Sequence, residues 1–377
     1  MKVKKIYLVL CAILVLSCYY IYYNVPLRTA IFRSFIKGNW YILSEKDTLY
    51  SFGYYGVKKW LVNGNNDLVL MANNDDFCNN TKIGYLIGRS GVINGNYIYV
   101  AARSYLGGDE IANTKGYING RLLILKKSDL SIVREISSDI KLIEAKKYKN
   151  YLIVSGLKGF NIYRIIRSDS LNLIYKYREK AYTEFQGLTV IDKDSCSYIA
   201  FARFAEGISI WNITDLKHIY EIKKINISEL VDNNSPLKGL QCFDVEYKAP
   251  YLYASLAPLK NTFQKKEDKR GIIVCDISDI NQIKQKLYLI PKRDWYFKKI
   301  GDPSPSYIDI YDNNLYVNFG EKGVAKFDIA NPESIKYNGI INISKNKLIQ
   351  PIHINYKGIL FAGDYYWPTI YTVNLNK

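Results

Sequence analysis

A two-part pattern recurs along nearly the whole chain and restricts its fold more than any other feature. The first part is a short apolar alternation such as Tyr251-Leu-Tyr-Ala254. The second part is a glycine, another apolar alternation and a polar turn, as in Gly271-Ile-Ile-Val-Cys-Asp-Ile-Ser-Asp279. Seven copies can be read, and successive first parts lie 45 (317 to 362) to 63 (254 to 317) residues apart.

Strand-like alternation at this period, with glycine turns, is typical of propeller blades rather than helical repeats. The first parts lie at 49–52, 97–100, 151–154, 198–201, 251–254, 314–317 and 359–362. Each blade is a small twisted sheet that must bury both of its faces against neighbours. The sequence therefore predicts an all-β fold, a seven-bladed β-propeller formed by residues 40–377.

The ring must also close, and the seventh copy leaves little chain after its second part. We therefore expect the seventh blade to lack its own outer strand. The run Trp40-Tyr-Ile-Leu43 is predicted to supply it from the N-terminal side.

Three second parts resemble those of the LVIVD-repeat propeller proteins. They are Gly207-Ile-Ser-Ile-Trp-Asn-Ile-Thr-Asp215, Gly271–Asp279 and Gly323-Val-Ala-Lys-Phe-Asp-Ile-Ala-Asn-Pro332. Copies one, two, three and seven share only the apolar skeleton. The resemblance implies a propeller of the bacterial envelope or surface, and it implies no particular activity.

The N-terminus is predicted to be an export segment. Lys2, Lys4 and Lys5 precede an uncharged run that ends at Val25. Two interpretations stay open: Val15-Leu-Ser-Cys18 resembles a lipobox with lipidation at Cys18, or residues 1–25 form an uncleaved anchor. Residues 26–39 would be a linker. Either interpretation places the propeller outside the cytoplasm, held on the membrane of a bacterial cell envelope.

The charge and the cysteines limit the partners. The formal net charge of +17 suits a polyanionic partner or reflects scattered lysines alone. Nucleic acid is not expected, because no reading motif accompanies the charge and export conflicts with it. Four cysteines beyond the anchor allow three disulfide pairings, and no C-x-x-C zinc pattern is present: Cys78, Cys196, Cys242 and Cys275. No cofactor or metal is predicted.

Three residues on predicted innermost strands are the weak candidates for chemistry. Asp244, Asp309 and His353 occupy matching positions in blades five, six and seven. They would converge in the central channel as an acid/base or metal cluster, or else the aspartates would hydrogen-bond neighbouring backbone and orient the blades.

The loops on one face of the ring are rich in aromatic and arginine residues, which suit sugar stacking or protein contacts. The binding-face candidates are Tyr54, Tyr55, Arg103, Tyr105, Tyr182, Phe185, Arg203, Phe204, Arg293, Trp295, Tyr365, Tyr366 and Trp367. We expect a non-catalytic binding or assembly platform for an envelope protein or an anionic glycan. The alternative is a glycan hydrolase or lyase that uses the channel carboxylates and His353.

Overall fold

The computed structural model describes residues 38–75, 86–104, 120–181, 183–227, 240–258, 271–289, 307–318, 320, 323–344 and 347–376. These residues form twenty-seven strands in seven antiparallel sheets, each sheet following the chain order. The predicted signal or anchor, residues 1–25 with Cys18, lies outside the described residues. Within them, no helix is long and apolar enough to cross a membrane.

The first three blades take up the N-terminal half. Blade one has β1 (Asn39–Glu45), β2 (Thr48–Gly53), β3 (Gly56–Val62) and β4 (Leu68–Asn74). Blade two has β5 (Leu86–Asn94), β6 (Tyr97–Ser104), β7 (Gly120–Lys126) and β8 (Ile132–Ser138). Blade three has β9 (Leu142–Tyr148), β10 (Tyr151–Gly156), β11 (Gly159–Arg167) and β12 (Ser170–Arg178).

Four further blades complete the ring. Blade four has β13 (Leu188–Lys193), β14 (Cys196–Ala202), β15 (Ile208–Asn212) and β16 (Tyr220–Ile225). Blade five has β17 (Leu240–Lys248), β18 (Tyr251–Pro258), β19 (Gly271–Asp276) and β20 (Lys284–Leu289). Blade six has β21 (Ile308–Tyr311), β22 (Asn314–Asn318), β23 (Val324–Asp328), a 3₁₀ turn (Pro332–Ser334) and β24 (Lys336–Ile341). Blade seven has β25 (Ile349–Ile354), β26 (Ile359–Asp364) and β27 (Ile370–Asn374).

The blades stack radially around a channel. The first strand of each sheet contacts the first strand of the next, and β25 contacts β1 to close the circle. Seven buried apolar clusters each combine residues of two neighbouring blades. The prediction of an all-β, seven-bladed propeller is therefore confirmed.

The repeated pattern marks the second and third strand of every blade. The glycines that open several third strands have the positive φ that favours glycine, including Gly56 (89°) and Gly207 (84°). A Cβ at Gly207 would also lie 2.0 Å from the carbonyl oxygen of Ile225. The glycine is thus required both by the backbone conformation and by the close approach of the outer strand.

The Asp-Ile-Ser turn after the third strand has a physical role of its own. In blade five the Asp276 carboxylate accepts the backbone N–H of Ser278 at 2.9 Å, which fixes the turn. The intervening Ile277 is fully buried in the cluster between blades four and five. The turn therefore places an apolar side chain between two sheets just where the strand ends.

The predicted origin of the closing strand is wrong. Trp40–Leu43 belong to β1, the innermost strand of blade one, and Ile42 pairs with Ser51 of β2. In the described part of the chain, blade seven has three strands. The reason is local: β1 and β2 are joined by the two residues Lys46 and Asp47, and a short hairpin closes at much less entropic cost than pairing with the far end of the chain.

Closure instead depends on side chains at the boundary between blades seven and one. The fully buried Asn39 amide donates to the carbonyl oxygens of Asp364 (3.2 Å), Trp367 (3.2 Å) and Thr369 (2.8 Å). The apolar cluster here contains five buried residues among those described, against seventeen between blades four and five. This boundary therefore relies more on polar contacts than the other boundary does.

Replacing Asn39 with alanine should lower the stability of the ring. The substitution removes the single NH2 group that makes all three contacts, at a cost of about 1–3 kcal/mol for each buried carbonyl that is left without a partner. Thermal unfolding of the full chain should show a melting temperature several degrees lower. The matched control is Asn172→Ala on the exposed side of β12. Equal melting temperatures for the two variants would contradict this account of closure.

Candidate functional site

The loop face is defined here as the face that carries the turns between second and third strands and the segments leading into first strands. The innermost strands begin at this face, and a small cavity lies where they begin. It has about 280 Å³ of space not filled by atoms, counting the part open to solvent. We call it the mouth cavity, and seven of its lining residues have polar side chains: Tyr41, Arg89, Ser90, Glu144, Gln186, Asp244 and Tyr307.

β-Bulges aim side chains at the mouth cavity. In four innermost strands the pairing with the second strand skips one residue, namely Trp40, Arg89, Ile143 and Phe243. A bulge bends the strand and turns its extra side chain away from the regular alternation. Arg89, Ile143 and Phe243 line the cavity. Trp40 lies under Arg89, whose Cζ is 3.7 Å from the indole ring centroid.

Carboxylates on three innermost strands each accept a backbone N–H from the following blade. Glu144 of blade three accepts the backbone N–H of Leu188 in blade four at 3.2 Å. Asp244 of blade five accepts the N–H of Ile308 in blade six at 3.0 Å. Asp309 of blade six accepts the N–H of Ile354 in blade seven at 2.7 Å. The two aspartates thus make the backbone contacts that the orienting interpretation predicts.

Two charged residues of the innermost strands, next to the mouth cavity residues Glu144 and Asp244, are paired with each other. Lys146 donates to Glu246 at 2.9 Å, and its Nζ lies 4.0 Å from a Glu144 oxygen. Burial acts to lower the pKa of Lys146, but Glu246 and the other nearby anionic groups hold it well above its usual value. Lys146 and Glu246 therefore form a charged pair across the channel.

Two carboxyl groups beside this pair have raised pKa values, which favours their neutral form. Burial raises the pKa of Glu144 to about 7, with Glu246 adding to the shift and Lys146 opposing it. Burial also raises the pKa of Asp244 well above its usual value, and the negative charges of Glu144 and Glu246 act in the same direction. The mouth cavity is consequently less negative than its count of carboxyl groups implies.

The three candidate residues for chemistry do not all meet. Asp309 and His353 lie together, with 3.4 Å between Asp309 Oδ2 and His353 Nδ1. Ser44 of β1 completes this group, because its Oγ lies 2.8 Å from His353 Nε2. Asp244 lies instead at the mouth cavity. Across the described residues, no group of three or more His, Cys, Asp or Glu side chains is placed to hold a metal ion.

Several binding-face candidates are structural. Tyr54 and Phe185 are buried, the former against Trp40 and the latter against Phe160 and Phe201. Arg203 is also buried and pairs with Glu179, Glu206 and Glu221. Such residues hold loops onto the blades rather than offering a free surface.

Four further described candidates contact neighbouring side chains on the loop face. The Tyr55 hydroxyl donates to Asn39 Oδ1 and also shares a hydrogen bond with the Ser51 hydroxyl. The other contacts are ring contacts: Phe204 on Phe243, with centroids 5.1 Å apart, Arg103 at 5.9 Å from the Trp40 ring and Tyr365 on Trp40 at 5.5 Å. Tyr105, Tyr182, Arg293 and Trp295 lie outside the described residues.

Tyr366 and Trp367 are exposed, and their turn is held rigidly. They are 40% and 52% exposed. The buried Asp364 carboxylate accepts both of their backbone N–H groups, at 2.8 and 3.2 Å. Asn39 binds the Trp367 carbonyl from the other side. We call Tyr365–Trp367 the aromatic turn; these hydrogen bonds hold its backbone, and it presents two exposed aromatic side chains.

Of the described cysteines, Cys242 directly precedes the cavity residues Phe243 and Asp244, while Cys196, Cys275 and His218 do not line the cavity. Cys196, Cys242 and Cys275 have free thiols, and Cys275 is fully buried, as a small apolar residue would be. Cys78 lies outside the described residues. His218 is exposed in the turn before β16 and pairs with Asp215 at 2.7 Å.

Comparison with known proteins adds a likeness of fold alone. No family model matches the chain, and no curated protein matches it. Among solved structures, the chain is similar to the crystal structure of the computationally designed Ika8 protein, with a TM-score of 0.48 and 9% identity over 89% of this chain and 82% of that one. The seven-bladed architecture therefore rests on the strand order described above.

Arg89, Glu144 and Ser44 are site residues that the repeat pattern did not reveal. A signal for the first was present: Gly88-Arg-Ser-Gly91 places two glycines inside a strand, which is typical of a bulge or a close approach. Indeed, a Cβ at Gly91 would lie 2.3 Å from the Phe52 ring. Glu144 and Ser44 have no such signal, because a single polar residue at a strand end is common.

Glu144→Gln should flatten the pH dependence of stability. With a folded-state pKa raised from 4.5 to about 7, the native protein retains a proton that the unfolded chain releases, so the free energy of unfolding falls as pH rises from about 4.5 to about 7. Glutamine cannot titrate, so thermal melts across this window should show a smaller decline. The exposed Glu333→Gln is the control. Identical declines in the Glu144 variant and the unmodified protein would contradict the raised pKa.

Proposed function

We propose that this propeller is a non-catalytic binding platform, held by its N-terminus outside the cytoplasm on a bacterial membrane. Its loop face would receive an anionic glycan of the cell envelope. The proposal follows from the sequence of the first 25 residues for location and from the mouth cavity and aromatic turn for binding. The resemblance to LVIVD-repeat proteins of the bacterial envelope agrees with it.

The aromatic turn is the observation that carries this proposal. Exposed aromatic rings stack on the apolar faces of sugars, and they do so best when binding does not have to order them first. Hydrogen bonds from Tyr366 and Trp367 to Asp364 already fix the backbone beneath both rings. The ligand would therefore meet a preformed surface.

Arginines and net charge favour an acidic sugar over a neutral one. Arg89 and Arg103 both lie over the Trp40 ring, next to Tyr365 of the aromatic turn. The chain carries a formal charge of +17, which raises the local concentration of polyanions. A protein partner would use the same aromatic residues but would not require a cation at the mouth cavity.

Trp367→Ala should weaken glycan binding by roughly 5- to 150-fold, the loss of about 1–3 kcal/mol typical of a buried aromatic contact. The measurement is retention of envelope polysaccharide by the immobilised full-length chain at low and high salt. Tyr220→Ala, which removes an exposed aromatic residue from the outer strand β16, is the control.

The salt dependence separates the possible partners. Retention of acidic glycan that falls with salt supports the proposal, since charge pairing at a surface is screened. Stoichiometric capture of an envelope protein that survives high salt, with no glycan retained, would replace the glycan with a protein partner. Equal retention by the Trp367 and Tyr220 variants would remove the aromatic turn from the site.

A second candidate function rests on the Ser44–His353–Asp309 group. A serine hydroxyl at hydrogen-bond distance from a histidine whose other nitrogen faces a carboxylate is the arrangement of acyl-transfer hydrolases. In such a reaction Ser44 Oγ would attack an ester carbonyl of a substituted glycan while His353 Nε2 takes its proton. The 3.4 Å separation to Asp309 exceeds a good hydrogen bond, and this function therefore ranks second.

Hydrolysis of a small chromogenic ester tests the second candidate. If the group is catalytic, Ser44→Ala and His353→Gln should each reduce turnover by at least about 100-fold, whereas Ser170→Ala on the outer strand β12 should not. Turnover that is no faster than buffer in the unmodified chain, or equal in all variants, would leave the group as a contact between blades.

A further inference from the structure

Three neighbouring side chains at the mouth cavity hold buried hydrogen-bond donors with no acceptor. Among the described residues, neither Nε nor Nη1 of Arg89 has a hydrogen-bond partner, and the same holds for Ser90 Oγ and Trp40 Nε1. Arg89 is 2% exposed and Ser90 is 1% exposed. A buried donor without an acceptor costs free energy, and a buried cation costs more. The cluster is therefore incomplete as a purely structural device.

No carboxylate within the described residues makes an ion pair with Arg89. Glu246 already pairs with Lys146 at 2.9 Å. Glu144 and Asp244 accept hydrogen bonds from backbone amides of the next blades. Burial lowers the pKa of Arg89 to about 10, with the charge of Arg103 adding to the shift, so the guanidinium is still charged at neutral pH. The Trp40 ring contributes a stacking contact to it but accepts no hydrogen bond.

We propose that the mouth cavity binds an oxyanion, a carboxylate or phosphate group of the ligand, through Arg89 and Ser90. This deepens the proposed function and rests on it, because the oxyanion would be the acidic group of the glycan. Arg89 Nε and Nη1 would donate charge-assisted hydrogen bonds, and Ser90 Oγ would donate a further one.

The site is also sensitive to pH through Glu144. When neutral, the Glu144 carboxyl adds no negative charge beside Arg89, on which Glu184 also acts; when ionised, it would repel a bound oxyanion. The titratable and charged groups that act on or with Glu144 come from its own strand and from facing elements: Lys146, Arg89, Tyr41, Asp244, Glu246 and Tyr307. With the Glu144 pKa at about 7, oxyanion binding should weaken as pH rises through neutrality.

The test is thermal stabilisation of the full-length chain, extracted in detergent, by sodium glucuronate and separately by sodium phosphate. A ligand that binds only the folded state raises the melting temperature in a saturable way. Glucose is the control for the sugar ring without its carboxylate, and sodium chloride is the control for ionic strength. Stabilisation by glucuronate identifies a sugar acid as the source of the group, and stabilisation by phosphate identifies a phosphate ester. Equal shifts with glucose or chloride would overturn the proposal.

Two variants assign the effect to the cavity. Arg89→Met should weaken the binding of the active anion by roughly 10-fold or more, and Ser90→Ala should weaken it by a smaller factor. Arg134→Met, on the exposed outer strand β8, should leave the shift unchanged. If Arg89→Met does not fold, Ser90→Ala and the pH series decide the question. Unchanged affinity in the folded variants would overturn the proposal.

The pH series uses glucuronate, because phosphate changes its own charge near neutrality. Affinity should fall between about pH 6 and 8 in the unmodified protein and stay constant in Glu144→Gln. Failure here is distinguishable from failure of the proposed function. Glycan retention that depends on Trp367 but not on Arg89 would reject the oxyanion site alone. An oxyanion effect without any glycan retention would reject the glycan platform alone.

Discussion

Each blade buries its two faces only if the next blade covers them, so the whole structure depends on closing the ring. The ring closes at the boundary between blades seven and one. The apolar cluster at this boundary is smaller than the cluster between blades four and five. Asn39 makes up for it with three hydrogen bonds to the loop after β26. Without the boundary between blades seven and one, the radial stack would have two open ends, each exposing an apolar sheet face to water.

The same contact shapes the candidate site. The loop that Asn39 holds is the aromatic turn, and the residue that follows Asn39 is Trp40, on which Arg89 stacks. Closure of the ring and assembly of the mouth cavity therefore use adjacent residues. The same contact holds the backbone of Trp367 on a face otherwise made of loops. Loss of closure would therefore also displace the residues of the candidate site.

Charged residues at both ends of the channel connect neighbouring blades. At the loop-face end, Glu144 and Asp244 connect blades through backbone amides and, where protonated, add no negative charge beside Arg89. At the other end, Asp309 connects blades six and seven and also faces His353. Carboxylates of this kind hydrogen-bond the backbone and also set the electrostatic potential of the channel.

The sequence was sufficient for the fold and insufficient for the site, for a physical reason. Apolar alternation and turn glycines such as Gly207 are properties of a single blade, so they can be read along the chain. Closure joins Asn39 to Thr369, a contact across the whole chain that no local pattern encodes, and Trp40–Leu43 were consequently assigned to the wrong blade. Arg89 reaches the channel only because a bulge turns its side chain in that direction. Phe185 and Arg203 were predicted to lie on the binding face, but they are buried, because loop packing is not visible in the sequence.

A crystal structure of the full-length chain grown with glucuronate would show whether the mouth cavity binds an oxyanion. We expect a carboxylate in the mouth cavity, with oxygens about 3 Å from a nitrogen of Arg89 and from Ser90 Oγ, and a sugar ring reaching toward Trp367. An Arg89 side chain paired instead with a carboxylate of the protein itself, and a sugar bound elsewhere or not at all, would contradict it.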